Sequence, residues 1–141
     1  MLMREGLGGN PALVEVDSAG TAEWHVGNPP DGRAIKAAAK RGIDISGCRA
    51  RRVGREDFFA FDYLMAMDRS NLEALEGARP RKAKSRVGLF LDYAPQLGVK
   101  DVPDPYYGGP HQFDVVLDLL EAGSRGFLTA LREAHPDQFA A

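Results

Sequence analysis

Hydrophobic and polar residues follow two different periods along this chain, and the two periods alternate. Short apolar runs have the length and composition of buried strands in a parallel sheet. They lie at residues 12–16, 63–67 and 87–91. Other segments are rich in helix formers or place apolar residues at helical spacing. They lie at residues 33–41, 55–61 and 113–131, with a further helix from Leu72. Strands that alternate with helices predict an α/β fold with a parallel sheet.

Each predicted strand runs into a polar loop, and these loops are the expected place for function. They begin at Asp17, Asp68 and Asp92. Ligands of parallel sheets bind beyond the carboxyl ends of the strands, so we expect the three loops to share one rim. Asp68, Ser70 and Asn71 are expected to cap the following helix and to tie neighbouring loops together.

Composition narrows the class of protein. The 141 residues, 44% hydrophobic and 27% charged, suit one globular domain spanning residues 1–141. A net charge of −2 with scattered Lys and Arg argues against a nucleic-acid partner. No apolar stretch reaches the length of a signal peptide or a membrane span, so we expect no membrane association. A single cysteine fits a reducing compartment, and we expect the protein in the cytoplasm.

Several residues that can carry chemistry have plainer interpretations here. Cys48 is interpreted as an ordinary thiol, because a reactive cysteine needs a specific electropositive setting. His25, His111 and His135 show no ligand spacing, so we expect no metal site. A basic run is interpreted as a solvated face in which one arginine is held structurally, namely Arg51. The run consists of Arg49, Arg51, Arg52 and Arg55.

The loop Asp104-Pro105-Tyr106-Tyr107 is the most unusual stretch, because adjacent tyrosines sit between prolines and glycines. On local physics two interpretations stay open. One is a rigid turn with aromatic anchors, since Asp-Pro is a common turn initiator. The other is a general acid, Asp104, beside an aromatic slot for a planar group. Trp24 likewise fits either a core position or a substrate wall.

This loop resembles the general-acid loop of the low-molecular-weight protein-tyrosine phosphatases. Other stretches resemble motifs of the same family in the same order, over about residues 2–131. They are Val16-Asp17-Ser18-Ala19-Gly20-Thr21, Trp24-His25-Val26-Gly27, Asp31-Gly32-Arg33-Ala34, Gly42-Ile43, Ala50-Arg51, Asp57-Phe58 and Met67-Asp68-Arg69-Ser70-Asn71-Leu72.

The resemblance implies a fold, a reaction and a set of site residues. It implies a three-layer phosphotyrosine phosphatase I-like fold and hydrolysis of phosphotyrosine monoesters through a phosphocysteine intermediate, without cofactor or metal. Asp104 is then the general acid and base, and Trp24, Tyr106 and Tyr107 line the aryl group. The implied substrates are a phosphotyrosine protein or a small aryl phosphate.

One family motif has no counterpart in these residues. The family's nucleophile lies in a Cys-x5-Arg-Ser loop after a central strand, whereas Gly54 stands six residues beyond Cys48. Residues 2–7 resemble the end of the helix that follows that loop. We therefore expect an N-terminally truncated domain that lacks a strand, a loop and most of a helix, about 25 residues by typical lengths. Such a chain is expected to be inactive and prone to self-association through the unpaired sheet.

Three hypotheses remain open from the sequence. The first is a phosphotyrosine monoester hydrolase whose true start lies upstream of Met1. The second is a non-catalytic pseudophosphatase that binds a partner. The third is an arsenate reductase on the same fold, which is less favoured because its disulfide relay needs cysteines besides Cys48.

Overall fold

The structure, a computed structural model, describes residues 16–21, 26–104 and 110–136. Its helices and strands alternate as the sequence predicts. In chain order they are α1 (Gly32–Ala39), α2 (Asp57–Ala60), β1 (Tyr63–Ala66), α3 (Arg69–Ala78), β2 (Arg86–Leu89) and α4 (Pro110–Ala134). β1 and β2 pair in parallel, with Tyr63 beside Arg86 and Ala66 beside Leu89. The α/β fold with a parallel sheet is confirmed, while the predicted strand at residues 12–16 lies outside the described residues except for Val16.

Side-chain caps begin two of the helices where the sequence signals them. The Asp31 carboxylate accepts a hydrogen bond from the Arg33 amide at 2.8 Å and starts α1. The Asp68 carboxylate accepts one from the Asn71 amide at 2.7 Å and starts α3. Both bonds satisfy an amide that has no partner within the helix. The predicted capping role of Asp68 is therefore confirmed.

Alternation along β1 divides the core into two layers, because neighbouring side chains of a strand point to opposite faces. Leu64 and Ala66 pack with Phe58 of α2 and Leu75 of α3. Met65 and Met67 pack on the other face, against a cluster beneath α4. That cluster contains Phe90, Leu91, Val102, Val116, Leu119 and Leu120. The sheet is thus covered by helices on both faces.

The third predicted strand is shorter than the sequence suggested. We predicted it at residues 87–91, but β2 ends at Leu89 and Phe90–Tyr93 forms a 3₁₀ turn. The reason is packing beneath α4: Phe90 and Leu91 are 0% and 1% exposed and both belong to that cluster, whereas a strand would send one of them to the layer of α2 and α3. The turn lets both side chains join the buried interior, at about 1.5–3 kcal/mol each.

Helix α4 is the longest element and runs beyond the predicted limits of residues 113–131. It approaches the 3₁₀ turn closely at two glycines: a Cβ on Gly123 would overlap the Phe90 ring, and one on Gly126 would overlap the Tyr93 carbonyl. Within the described residues, no helix is both long and apolar enough to cross a bilayer.

Candidate functional site

Three polar loops meet at the carboxyl end of β1. The side-chain amide of Asn71 donates to the Thr21 hydroxyl at 3.3 Å, which joins the first loop to the second. The Val102 amide donates to the Met67 carbonyl at 2.8 Å, which brings in the third. The predicted shared rim is confirmed, with one change. Asp92 itself pairs with Lys100 at 3.0 Å, and it is the later part of its loop that reaches the rim.

An arginine holds that later part in place. The Arg69 guanidinium donates to the Asp101 carboxylate, with its Nη2 at 3.0 Å and its Nε at 3.2 Å from the two oxygens. The Arg69 amide donates to the same carboxylate at 2.9 Å. These hydrogen bonds lower the pKa of Asp101, and the bond from the side chain has a larger effect than the bond from the backbone. The contact spans 32 residues, and no sequence pattern pointed to it.

Asp104, the predicted general acid, lies two residues beyond Val102 and is exposed. The Val102 amide and the Arg69 contacts therefore fix the chain immediately before it. Trp24, Tyr106 and Tyr107, the predicted aryl-binding residues, lie outside the described residues.

A second arginine joins the first loop to α2. Arg51 Nη2 lies 3.1 Å from the Asp17 carboxylate and 2.9 Å from that of Asp57. Asp57 also accepts from the Gly54 amide at 2.7 Å. The Arg51 hydrogen bond lowers the pKa of Asp57, against a smaller opposite effect of burial. Arg51 is held structurally, as the sequence suggested.

One atom of this arginine stays unpaired. Arg51 Nε is buried and has no hydrogen-bond partner within the part of the chain that the structure describes. Its neighbours in the basic run, Arg49, Arg52 and Arg55, are exposed, in agreement with a solvated face.

A groove of about 510 Å³ runs along β1. All four residues of β1 line it and none of β2 does, so it lies on the side of β1 that faces away from β2. Residues 16–21 form one wall, and Phe127 and Leu131 of α4 form another. One end opens at the rim beside Met67 and Asn71.

The backbone of β1 leaves hydrogen-bonding groups facing this groove. The Arg86 amide donates to the Asp62 carbonyl at 2.8 Å, which turns the backbone groups of Asp62, Leu64 and Ala66 toward β2. Because the direction alternates along a parallel strand, those of Tyr63 and Met65 turn toward the groove. Neither residue has a backbone partner there within the described ranges. The groove is therefore bordered by an open strand edge.

Other candidate residues take no part in this site. Cys48 is half-buried in a turn, where its amide donates to the Ile45 carbonyl at 3.0 Å, and it does not line the groove. His135 shares a hydrogen bond of 3.1 Å with the Tyr63 hydroxyl at the far end of β1. Over residues 16–21, 26–104 and 110–136, no group of three or more His, Cys, Asp or Glu could hold a metal ion.

Comparison with known families matches this arrangement to one of them. The model of the low molecular weight phosphotyrosine protein phosphatase family matches residues 1–137. The chain belongs to this family. The resemblance seen in the sequence motifs is thereby confirmed.

Individual members agree in sequence and in fold. The low molecular weight protein-tyrosine-phosphatase of Streptomyces coelicolor is 40% identical over 124 residues, which are 86% of this chain and 75% of that protein. YfkJ of Bacillus subtilis is 35% identical over 130 residues, 92% of this chain and 80% of that protein. A crystal structure of the Entamoeba histolytica protein tyrosine phosphatase superposes with a TM-score of 0.79 at 36% identity, covering 84% of this chain and 75% of that one.

Proposed function

We propose that this protein acts in the hydrolysis of phosphotyrosine monoesters, with Asp104 as the general acid. The observation that carries the proposal is the groove on the open side of β1. A strand laid in that groove parallel to β1 would end at the same rim as β1 does. The loop after such a strand would lie beside the segment that Val102 anchors. In this family the nucleophile loop follows a strand of that kind.

The nucleophile loop and the loop of Asp104 supply different groups to the proposed reaction. The cysteine thiolate attacks phosphorus while backbone amides and an arginine hold the phosphoryl oxygens. Asp104 protonates the departing phenolate oxygen, which leaves a phosphocysteine. Asp104, now a carboxylate, then takes a proton from water as the water oxygen attacks phosphorus and the thiolate departs. The products are phosphate and the free phenol, and the cycle requires no metal.

The 141 residues supply only the acid side of this reaction. They contain no Cys-x5-Arg sequence, since the only cysteine is Cys48. We therefore propose that they hydrolyse no aryl phosphate by themselves, and that the nucleophile loop comes from sequence outside them. Reading the gene upstream of Met1 tests the nearest source. An in-frame Cys-x5-Arg-Ser sequence within about one strand and one helix of Met1 is the expected finding.

The proposed substrate class rests on the aromatic residues of the family motifs. Trp24, Tyr106 and Tyr107 are proposed to flank the ring of a phosphotyrosine, in a protein or a small aryl phosphate. A relative with the same fold is titled drosophila arginine phosphatase, at 28% identity and a TM-score of 0.76. Phosphotyrosine and phosphoarginine should therefore be compared directly as substrates, and the flat aryl ester is expected to react faster.

An extended chain tests the reaction. The strand, nucleophile loop and helix of YfkJ would be joined ahead of Met1, and hydrolysis of p-nitrophenyl phosphate would be followed. We expect turnover by the extended chain and none by the 141 residues. Asp104→Asn should lower kcat by about 10²–10⁴-fold, the usual contribution of a general acid.

The control is Asp92→Asn, which changes an exposed carboxylate in the same loop whose partner is Lys100 rather than a rim residue. Equal effects of the two substitutions would show that Asp104 is not the acid. A folded extended chain without any turnover would favour the second hypothesis, a partner-binding pseudophosphatase. Arsenate reduction by the extended chain would favour the third.

A further inference from the structure

The loop between α3 and β2, taken together with the first residue of β2 (residues 79–86), concentrates positive charge. Five of the chain's 18 basic residues fall in this stretch of eight residues, and none of its 20 acidic residues does. They are Arg79, Arg81, Lys82, Lys84 and Arg86. All five side chains are exposed. The loop is therefore strongly positive on a protein whose net charge is −2.

The loop is held in one shape by its own contacts. Arg79 Nη2 donates to the carbonyl oxygens of Ala83, at 3.0 Å, and Ser85, at 2.8 Å. The Ala83 amide donates to the Pro80 carbonyl at 3.1 Å. Ala83 and Ser85 are buried, with 6% and 4% of their surface exposed. Arg79 thus stabilises the loop, and its hydrogen bonds hold the backbone that carries the cations after it.

Burial alternates along the second half of the loop. Because Ala83 and Ser85 face inward, the residues between and beside them face outward. These are Lys82, Lys84 and Arg86, which we call the cation row. Two residues of extended chain span about 6.6 Å, which is roughly the spacing expected between Lys84 and Arg86, whereas Lys82 stands in the turn that the Ala83 amide closes on the Pro80 carbonyl.

The described part of the chain places no carboxylate against the cation row. Within the described residues, none of its three side chains forms an ion pair, whereas Arg41, Arg51 and Arg69 each bind a carboxylate. Arg86 instead has its guanidinium carbon 5.9 Å from the centre of the Tyr63 ring. The row is available to anions from outside the chain.

We propose that the cation row docks an extended acidic segment of a partner protein, with carboxylates on alternate residues. The two-residue period of such a segment matches the alternation of buried and exposed residues along the row, so two of its carboxylates can face Lys84 and Arg86, and Lys82 in the adjoining turn adds a third cation. The row and the rim lie at opposite ends of β1: Arg86 pairs with Tyr63 at the start of the strand, and Ala66 at its other end is about 10 Å away. A partner held there leaves the rim open.

A membrane surface fits these observations less well than an acidic polypeptide does. Interfacial anchors combine cations with apolar side chains that enter the lipid. In this loop Ala83 faces inward and Pro80 is only half-exposed, so the loop offers no large apolar group for insertion.

Fluorescence anisotropy tests the proposal on the 141-residue protein. The probe is a labelled ten-residue peptide of alternating Glu and Ser, at about 50 mM salt so that screening is weak. Binding is expected, and Lys82→Gln/Lys84→Gln/Arg86→Gln should weaken it about tenfold. The matched control, Lys36→Gln/Lys40→Gln/Arg125→Gln, removes the same charges from other exposed positions and should change binding less than twofold.

Three results would overturn the proposal: no binding, equal losses in the two triple variants, or tighter binding to phosphatidylserine vesicles than to the peptide. A peptide with its Glu residues in one block should bind more weakly than the alternating one, and equal binding would remove the argument from spacing. Should the triple variant unfold, Lys82→Gln/Lys84→Gln keeps Arg86 over Tyr63 and still removes two cations.

Discussion

The two sides of strand β1 differ sharply. On one side β1 pairs with β2 in parallel register, and the chain after β2 packs beneath α4. On the other side the backbone groups of Tyr63 and Met65 face a groove of about 510 Å³. The closed side provides the apolar burial that stabilises this chain, whereas the open side provides access to the rim where Asp104 begins the proposed acid loop. Stability and proposed chemistry therefore depend on different sides of one strand.

The largest expected loss of stability comes from a substitution on the closed side of β1. Gly126→Ala places a methyl group against the Tyr93 carbonyl, a backbone atom that cannot rotate away, and should destabilise the protein by about 3 kcal/mol. Gly77→Ala is the control, because a Cβ there meets nothing within 4 Å, and it should stabilise α3 by about 0.5–1 kcal/mol. Urea unfolding measures both. A Gly126→Ala variant as stable as the wild type would contradict the close packing of α4 on the 3₁₀ turn.

Hydrogen exchange compares the two sides directly. The amides of Leu64 and Ala66 face β2 and should exchange about 100-fold more slowly than those of Tyr63 and Met65, which face the groove. NMR at two protein concentrations gives the four rates. Equal protection that disappears on dilution would mean that a second copy covers the open edge, which is the self-association that the sequence suggested.

A smaller loss of stability is expected when Arg51, which lines the groove, is replaced. Arg51→Met removes the hydrogen bonds to Asp57 and should cost about 1–2 kcal/mol at pH 7. Because Arg51 lowers the pKa of Asp57, this contribution is complete above the ordinary pKa near 4 and is lost as the pH falls through the lowered value.

The difference in unfolding free energy between wild type and Arg51→Met should therefore be constant above the ordinary pKa of an aspartate and shrink as the pH falls below it. Urea unfolding at several pH values measures it. Arg55→Met, an exposed position in the same basic run, is the control and should change stability little at any pH. A pH-independent difference would mean that Arg51 acts through packing rather than through its carboxylate partners.

The smallest effect on stability is expected at the rim. Arg69→Ala removes an exposed ion pair with Asp101 and should lower the stability only slightly, by an amount that decreases with added salt. Lys100→Ala removes another exposed pair, with Asp92, and should cost about as much. In the extended chain Arg69→Ala should lower kcat and Lys100→Ala should not, because Arg69 binds Asp101 in the segment before Asp104 and Lys100 binds Asp92. Equal activities of the two variants would contradict that role.

Local signals in the sequence predicted much of this fold. Asp31 and Asp68 cap helices because a carboxylate satisfies an amide within a few residues, and that interaction can be read from spacing. The run at residues 63–67 predicted β1, since strands in parallel sheets are apolar on both faces. The 3₁₀ turn at Phe90–Tyr93 could not be predicted, because α4 is what makes burial of both Phe90 and Leu91 favourable.

Four features follow from the residues alone: the α/β class, the shared rim, the family and the absence of a Cys-x5-Arg motif from these 141 residues. The tertiary structure alone decided which distant residues meet: Arg69 with Asp101, Arg51 with Asp17 and Asp57, and β1 with an open groove. Helix caps and strand periods arise from neighbours in sequence, so they leave a pattern. An ion pair across 32 residues, or a groove along one side of a strand, depends on how the elements pack, and no local pattern records it.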